Sequence, residues 1–464
     1  MTSSAFASYR ERVAAARGAG WRFAGLHATA DGAHVRTLLV DAGGATRLES
    51  VATENGLAPS IVDLVPASGW DEREAHDLQG VRFAGHEPLR PLVDHNPVLE
   101  PWVSVRGDDT YQIAVGPIHA GIIESGHFRF HVVGDLILHL DARLFYKHRG
   151  LEEAALGTPL DQGMAYAARA CAACAVTNGV AYAHACEDAL GLEPTAALAR
   201  ARTILLELER QWNHLNDIAA VCAGVGLAAG NNAFAALTER ARRLNATLTG
   251  HRFLFGSVRV GGSELTLAAD DVRAARAEVA ALRTDSTRAW RELLFNASFQ
   301  DRLPDIGVVT AAQAERLGAT GPAARAAGLA EDVRAGSPRL AYDGLEPVVP
   351  KRAEGDVQSR LEQRALELLQ TFDLLERLLD GPVGPAVAER GAEQRPIGIG
   401  RVESPRGATS CVVERNHDRI ERLRLRTGSY ANWPVVAHAA TDNLLPDFPL
   451  INKSFELCYA CADR

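Results

Sequence analysis

Two Cys-x-x-Cys pairs constrain the fold more than any other feature: Cys171-Ala172-Ala173-Cys174 in mid-chain and Cys458-Tyr459-Ala460-Cys461 at the very end. If the four sulfurs meet, the tail of a 464-residue chain must return to its middle. Residues at i and i+3 share a helix face, and the first pair lies in an Ala-rich run. That predicts a helix from which both sulfurs point at one ion. Thiolates are soft donors that suit zinc, iron–sulfur clusters, copper(I) or nickel. A closed four-cysteine zinc site stapling the tail to the core meets the same spacing, as does a dithiol switch, and spacing does not choose among them. The remaining cysteines, Cys186, Cys222 and Cys411, are single and scattered, which by default means small buried hydrophobes.

Composition removes several function classes. Hydrophobic residues make up 47% and charged residues 23%, a globular profile, and the length favours two or three domains. The net charge of -9 and the lack of a basic block argue against a nucleic-acid partner. No run approaches the roughly 18 apolar residues of a membrane-spanning helix. Tyr9-Arg10-Glu11-Arg12 stands where a secretory signal would place its apolar core. A cytoplasmic location follows as the expectation, and in that compartment paired cysteines favour metal or redox chemistry over disulfides.

Patterning predicts an α+β protein in two parts. Residues 1–95 read as a small α+β domain, with a helix over Ser8–Arg17 stopped by Gly18 and a strand around Val35–Val40. A polar helix over Trp70–Asp77 closes on Gly80, and Asn96-Pro97 and Glu100-Pro101 punctuate a linker. Residues 96–464 read as a larger domain with a helical bundle at its centre and small sheets at its edges. Its hairpin pairs His127–Val133 with Leu136–Tyr146 through Gly134-Asp135. Long helices are predicted over Thr195–Ala223, closed by Gly224, and over Ala268–Phe295 and Ser359–Leu379. The Gly- and Pro-rich stretch 301–350 reads as an extended connector or lid. Short strands follow at Ala408–Val413 and Ile420–Arg426, before a Pro-rich run to the terminus.

A set of motifs then carries a resemblance: Gly116-Pro117-Ile118-His119-Ala120-Gly121, Glu124-Ser125-Gly126-His127-Phe128-Arg129-Phe130, Leu144–Glu152 ending in Arg149-Gly150-Leu151-Glu152, Leu205–Arg210, Asn213-His214-Leu215-Asn216-Asp217, Thr249–Phe253, Glu403-Ser404-Pro405-Arg406-Gly407 and Pro446–Phe455. In this order they resemble the large subunit of membrane-bound, energy-converting NiFe hydrogenases of the formate hydrogenlyase type (group 4). That subunit is related to the quinone-site, 49-kDa subunit of complex I. Trp70–Phe83 with Gly85-His86 and Leu89-Arg90 is similar to the 30-kDa companion subunit of complex I, which this hydrogenase type carries as an N-terminal fusion.

The resemblance implies that Cys171, Cys174, Cys458 and Cys461 ligate nickel, with Cys174 and Cys461 bridging to an iron that bears small diatomic ligands. Sulfur can then accept the proton when dihydrogen splits. It implies no iron–sulfur cluster within the chain itself. Electrons would pass to an iron–sulfur small subunit, proton-translocating membrane subunits would anchor the complex, and a formate dehydrogenase or ferredoxin-type donor would feed it. The chain would then sit peripherally on the cytoplasmic face of the inner membrane. Glu152 matches the family's proton-gate carboxylate, a role that burial supports if it raises the pKa toward neutrality. A helix N-terminal Glu favoured by the dipole is the plainer alternative. Arg406 matches the arginine over the metal site, where a fixed guanidinium can orient a ligand; the plainer alternative is an ion pair with Glu403. His214 and Asp217 match polar residues lining the metal cavity or its proton path. His119 matches the histidine that touches the quinone headgroup in complex I, although hydrogenases keep that loop without a quinone.

The chain departs from the family pattern at four points. Ala172 replaces the usual glycine of the first pair, and Asn178 stands where a histidine is usual. Glu456-Leu457 replaces Asp-Pro before the second pair. Precursors often carry a tail removed after nickel insertion, whereas this sequence stops at Arg464. A complex I-like coupling protein, its four cysteines holding zinc or nothing, is the competing expectation.

Overall fold

The computed structural model describes residues 4–95, 102–107, 109–119, 124–351 and 353–464. The linker expected at 96–101 and part of the 116–121 motif lie outside the described residues.

At the N-terminus, α1 (Ser4–Gly18) begins one turn earlier than expected and buries Phe6, Tyr9, Val13 and Ala16 on one face. That face covers an antiparallel sheet of β1 (Arg22–Ala28), β2 (His34–Val40) and β3 (Thr46–Ala52). The polar helix α2 (Gly69–Gln79) ends at Gly80, whose φ of +68° suits a residue without a Cβ. Its acids are not solvated: Asp71, Glu72 and Glu74 are all buried.

The hairpin forms as β5 (His127–Val133) and β6 (Leu136–Arg143), with β4 (Tyr111–Val115) added at the edge. The bundle is built from α3 (Ala175–Leu190), α4 (Ala196–Val225), α5 (Ala228–Thr249), α6 (Ala269–Leu294) and α7 (Val357–Leu378). Thr195 caps α4 by accepting the Leu198 N–H. Gly226, at φ +86°, ends α4, two residues beyond the expected Gly224. Gly224 instead lies inside the helix where a Cβ would come 3.1 Å from the Leu450 side chain, so its smallness serves packing.

Residues 301–350 do not form a lid. Short helices at Ala311–Leu317 and Pro322–Ala326 pack into the body, and Arg325 and Arg334 are fully buried. The glycines and prolines there end and start short helices, as at Gly318 and Pro322.

A second antiparallel sheet, β7 (Ile397–Ser404), β8 (Gly407–Asn416) and β9 (Arg419–Arg426), carries α3 directly on its face. A Cβ on Gly398 would sit 1.9 Å from the Ala185 carbonyl oxygen, and one on Gly400 2.0 Å from that of Ala181. Two glycines spaced by two on one strand therefore let helix backbone rest on strand backbone. This contact fixes α3, and with it the turn that bears the first cysteine pair. The expected Pro-rich run to the terminus is instead α8 (Gly428–Ala440), α9 (Phe448–Phe455) and α10 (Tyr459–Asp463). Pro446 and Pro449 occupy first-turn positions, where no backbone donor is needed. Among the described residues, no helix is long and apolar enough to cross a membrane.

Candidate metal centre

The four cysteines meet. One ligand atom from each of Cys171, Cys174, Cys458 and Cys461 lies within 4.8 Å of all the others. Tetrahedral thiolates about 2.3 Å from an ion would stand roughly 3.8 Å apart, so the set is compact enough to close on metal. Cys171, Cys174 and Cys461 are buried, and Cys458 is partly exposed. The local geometry corrects the helical expectation for the first pair. Cys171 is extended, Ala172–Cys174 forms a 3-10 turn, and Cys174 is the N-cap of α3. Cys458 likewise caps α10. Each pair therefore sits on a turn at a helix N-terminus, where the dipole favours thiolate charge.

Without a metal, the cluster shares its charge. Hydrogen bonds from the other three cysteines hold Cys458 well below the usual thiol range, while Cys174 and Cys461 are pushed up. Four soft sulfur donors gathered this closely fit the nickel–iron group that the motifs imply.

Each half of the site is tied down separately. On α4, the Asn213 side chain donates to the Ala173 carbonyl at 2.8 Å. One turn earlier Glu209 accepts from the Val176 and Thr177 N–H groups at 2.6 and 3.1 Å and from the Thr177 hydroxyl at 2.5 Å. Burial pushes the Glu209 carboxyl up to about 7, against the pull of these hydrogen bonds. Glu209 and Asn213 fall within the sequence motifs but receive no role from them; their signal is i, i+4 spacing on the face of α4 that meets the cysteine turn. At the tail, Ser429 accepts the Cys458 N–H at 3.0 Å and Thr427 donates to the Cys461 carbonyl at 3.0 Å. Asp463 accepts from the N–H groups of Phe145 at 2.7 Å and Lys147 at 3.0 Å, which locks the tail to the strand end beyond β6.

Arg406, on the turn between β7 and β8, pairs with Asp217 of α4 at 2.6 Å, not with Glu403. Glu403 is engaged by Arg325 at 3.0 Å. Burial lowers the Arg406 pKa, but Asp217, then Cys458 and Cys174, outweigh it and raise it above its ordinary value. Asp217 also faces Arg364 and His214, each at 3.5 Å. Arg364 in turn donates to the carbonyls of Ser454 and Phe455 at 3.0 and 2.6 Å, at the end of α9 and just before Cys458. His214 bridges onward from Asp217 to Glu367, whose oxygen lies 3.0 Å from Nε2. The structure thus brings His214, Asp217 and Arg406 into one buried polar cluster, in which Arg406 is near enough to feel the charge of Cys458 and Cys174 and Arg364 holds the backbone leading to Cys458.

Glu152 differs from its expectation. It is buried, and burial would raise its pKa, but Arg464, Arg424 and Arg422 together hold it below the usual carboxylate range. Arg464 Nη1 lies 2.8 Å and Arg422 Nη1 3.2 Å from its oxygens, and the Leu425 N–H donates at 2.9 Å. Glu74 of α2 joins the same cage, 2.5 Å from Arg424 and 2.7 Å from Arg464, and is held low as well. The N-terminal helix α2 is thereby clamped to the tail that carries Cys458 and Cys461. Both carboxyls titrate lower in the folded than in the unfolded chain, so their contribution is complete above about pH 4.5 and disappears as the pH falls below that. Glu74→Gln is expected to flatten acid destabilisation in denaturant titrations between about pH 5 and 3, with neutral stability lowered.

Asn178 occupies the position where the family usually has histidine, and its side-chain amide points at Cys461 Sγ from 3.9 Å. It keeps a donor near that sulfur. Removing such an outer partner typically costs about 10–100-fold in metal affinity. Asn178→Ala is expected to lose metal to a chelator faster by a factor in that range, and Asn178→His to stay near the parent. Cys186, Cys222 and Cys411 are buried and apart from the cluster, and burial pushes the Cys186 and Cys222 thiols up to about 12. His119 is bound to the Gly126 carbonyl at 2.7 Å.

With this arrangement in hand, similarity to known proteins becomes informative. Formate hydrogenlyase subunit 5 of Escherichia coli is 31% identical over 443 residues, covering 88% of this chain and 77% of that protein. The chain belongs to the large-subunit family of formate hydrogenlyase-type (group 4) hydrogenases. Among other members of this hydrogenase family, the membrane-bound hydrogenase subunit alpha of Pyrococcus furiosus is 29% identical, covering 76% of this chain and 87% of its own. Family models for the 30 Kd and 49 Kd subunits of respiratory-chain NADH dehydrogenase match residues 30–103 and 226–397. A solved chain from the membrane-bound sulfane sulfur reductase, an archaeal respiratory membrane complex, superposes with a TM-score of 0.70 at 28% identity, covering 77% of this chain and 99% of that one. The family large subunit is thus an oxidoreductase component of the hydrogenase and complex I type, built for a multi-subunit membrane complex.

Proposed function

We propose that this chain is the catalytic large subunit of a membrane-associated hydrogenase complex that interconverts dihydrogen with protons and electrons. The observation that carries the reading is the convergence of four sulfurs from mid-chain and tail within 4.8 Å, in a chain of this family. Cys171, Cys174, Cys458 and Cys461 would hold nickel, and Cys174 and Cys461 would also hold an iron with diatomic ligands. When bound, that pair supplies heterolytic cleavage of dihydrogen. The cysteine sulfurs accept the proton released beside them. Asp217 fixes the Arg406 guanidinium, which orients ligands over the sulfurs, and the Asp217–His214–Glu367 series offers the proton a buried polar route away. Glu152 in this conformation is an anionic anchor for Arg464, so its part as a proton gate requires that pair to open.

Residues 1–95 are read as the complex I 30-kDa-like domain and residues 96–464 as the hydrogenase large-subunit domain. Electrons would leave through an iron–sulfur small subunit. Proton-translocating subunits would hold the complex at the cytoplasmic face of the inner membrane, and a formate dehydrogenase or ferredoxin-type donor would supply it. The test is hydrogen uptake by the co-purified complex with a viologen dye. Sustained dye reduction under hydrogen supports the reading, and none from a fully assembled, metal-loaded complex refutes it.

Ala172, Asn178 and Glu456-Leu457 favour one alternative, a complex I-like coupling protein whose cysteines hold zinc. An NADH-quinone oxidoreductase component of Phocaeicola vulgatus, 28% identical over 362 residues, shares this lineage. Quinone-dependent turnover without hydrogen activity would select it.

A further inference from the structure

A cleft of about 970 Å3 opens between the N-terminal sheet and the large domain, and the metal cluster does not use it. One wall comes from β1 and the Asp41–Gly44 loop; the other comes from β7 and the 329–339 segment. The walls touch where a Cβ on Gly44 would come 3.0 Å from the Gly336 carbonyl oxygen.

Arg401 of β7 lines this cleft; its side chain makes no hydrogen bond or ion pair among the described residues, and its Nε is sealed from solvent. His184 of α3 lines it too, is 2% exposed, and has an Nε2 without a partner. Four of the six acids lining the cleft are paired with other cations. Glu331 pairs with Arg22, Asp332 with Arg334 at 2.7 Å, Glu403 with Arg325 at 3.0 Å, and Asp63 with Arg10 at 2.6 Å. Asp41 accepts the Ala45 N–H of its own loop at 2.8 Å, and Glu315 is exposed.

Arg401 is half-buried, so the rest of its guanidinium meets the solvent of the cleft, but a sealed donor such as its Nε is unfavourable without an acceptor. Burial first, then the neighbouring Arg22, pulls Arg401 down to about 10, against the opposing pull of Glu403. His184 is held neutral by burial and by Arg202 and Arg339. A neutral imidazole can donate one hydrogen bond from Nε2 without adding charge.

We propose that this cleft is a binding site for a small oxyanion, a phosphate or carboxylate compound, with Arg401 as its counter-charge and His184 Nε2 as a neutral donor in the same cleft. The site is separate from the metal centre and independent of the hydrogenase reading. Because its walls come from both domains, an occupant would clamp them together and stabilise the folded chain by mass action.

The test is thermal unfolding and calorimetric titration of the full chain, co-purified with its partners, against sodium phosphate and sodium citrate at constant ionic strength. A saturable rise in melting temperature is expected with at least one of them. Phosphate alone would assign a phosphate compound, and citrate alone a carboxylate. Arg401→Met is expected to weaken that binding by about tenfold or more, the usual result of losing a charge-assisted bond. In anion-free buffer the same variant should unfold no earlier than the parent, since it removes a sealed donor that has no partner. Arg401→Lys keeps the charge, should bind with intermediate affinity, and covers the case in which the methionine variant fails to fold. No saturable shift with either anion, or an equal shift in Arg401→Met, would overturn the proposal.

Discussion

Cys461→Ala is expected to abolish nickel binding and dye-linked hydrogen turnover while leaving the fold in place. Losing an outer partner of a metal ligand costs about 10–100-fold, so losing one of the four proposed ligands themselves should exceed that range. The fold should persist because the tail is held by groups other than this sulfur. Thr427 binds the Cys461 backbone carbonyl, Ser429 binds the Cys458 N–H, and Asp463 binds two backbone donors near β6. Cys222→Ala serves as the control. It removes an equally buried thiol that lies outside the cluster, and it should keep both nickel and turnover. Inductively coupled plasma analysis, together with a viologen assay of the two variants, checks the pair.

Asp217→Asn is expected to show the largest loss of stability of any single change near the site. Asp217 is the shared counter-charge for Arg406 at 2.6 Å and for Arg364 at 3.5 Å, and it also faces His214 at 3.5 Å. It is held ionised against burial chiefly by Arg406 and Arg364. Removing one member of a buried ion pair costs about 3–5 kcal/mol, because the partner is left charged without water. Here two guanidiniums lose their acid, and one of them, Arg364, also caps the helix that leads into Cys458. A urea midpoint shift at neutral pH of matching size is expected, together with reduced nickel content. Arg406→Met should cost less, since Asp217 keeps Arg364 as a partner. Equal stability of Asp217→Asn and the parent would show that the cluster is solvated rather than buried.

The sequence made some of this legible and concealed the rest, for identifiable reasons. Helices with strong 3.6-residue periodicity, such as Ala196–Val225, were readable to within a few residues, and the hairpin at His127–Arg143 followed its Gly134-Asp135 turn. The tail helices were missed because prolines read as breakers, yet Pro446 and Pro449 stand where helices begin. The 301–350 stretch reads as a connector because its burial depends on charges such as Arg325, whose partners Glu367 and Glu403 are remote in sequence. At the site, the cysteine spacing announced a four-sulfur cluster, but the turn geometry at Cys171 depended on packing of α3 against Gly398 and Gly400. The charge state of Glu152 was not legible at all. It is set by Arg422, Arg424 and Arg464, all more than 260 residues away in sequence. The alternation Arg422-Leu423-Arg424-Leu425-Arg426 does mark one charged strand face, and that face receives the acids of α2.

The most direct test is the metal content of the native complex, measured together with the amount of this chain. The account expects close to one nickel per chain, iron in excess of nickel because a partner's clusters add to it, and loss of nickel in Cys461→Ala. Zinc at one per chain with no nickel would contradict it.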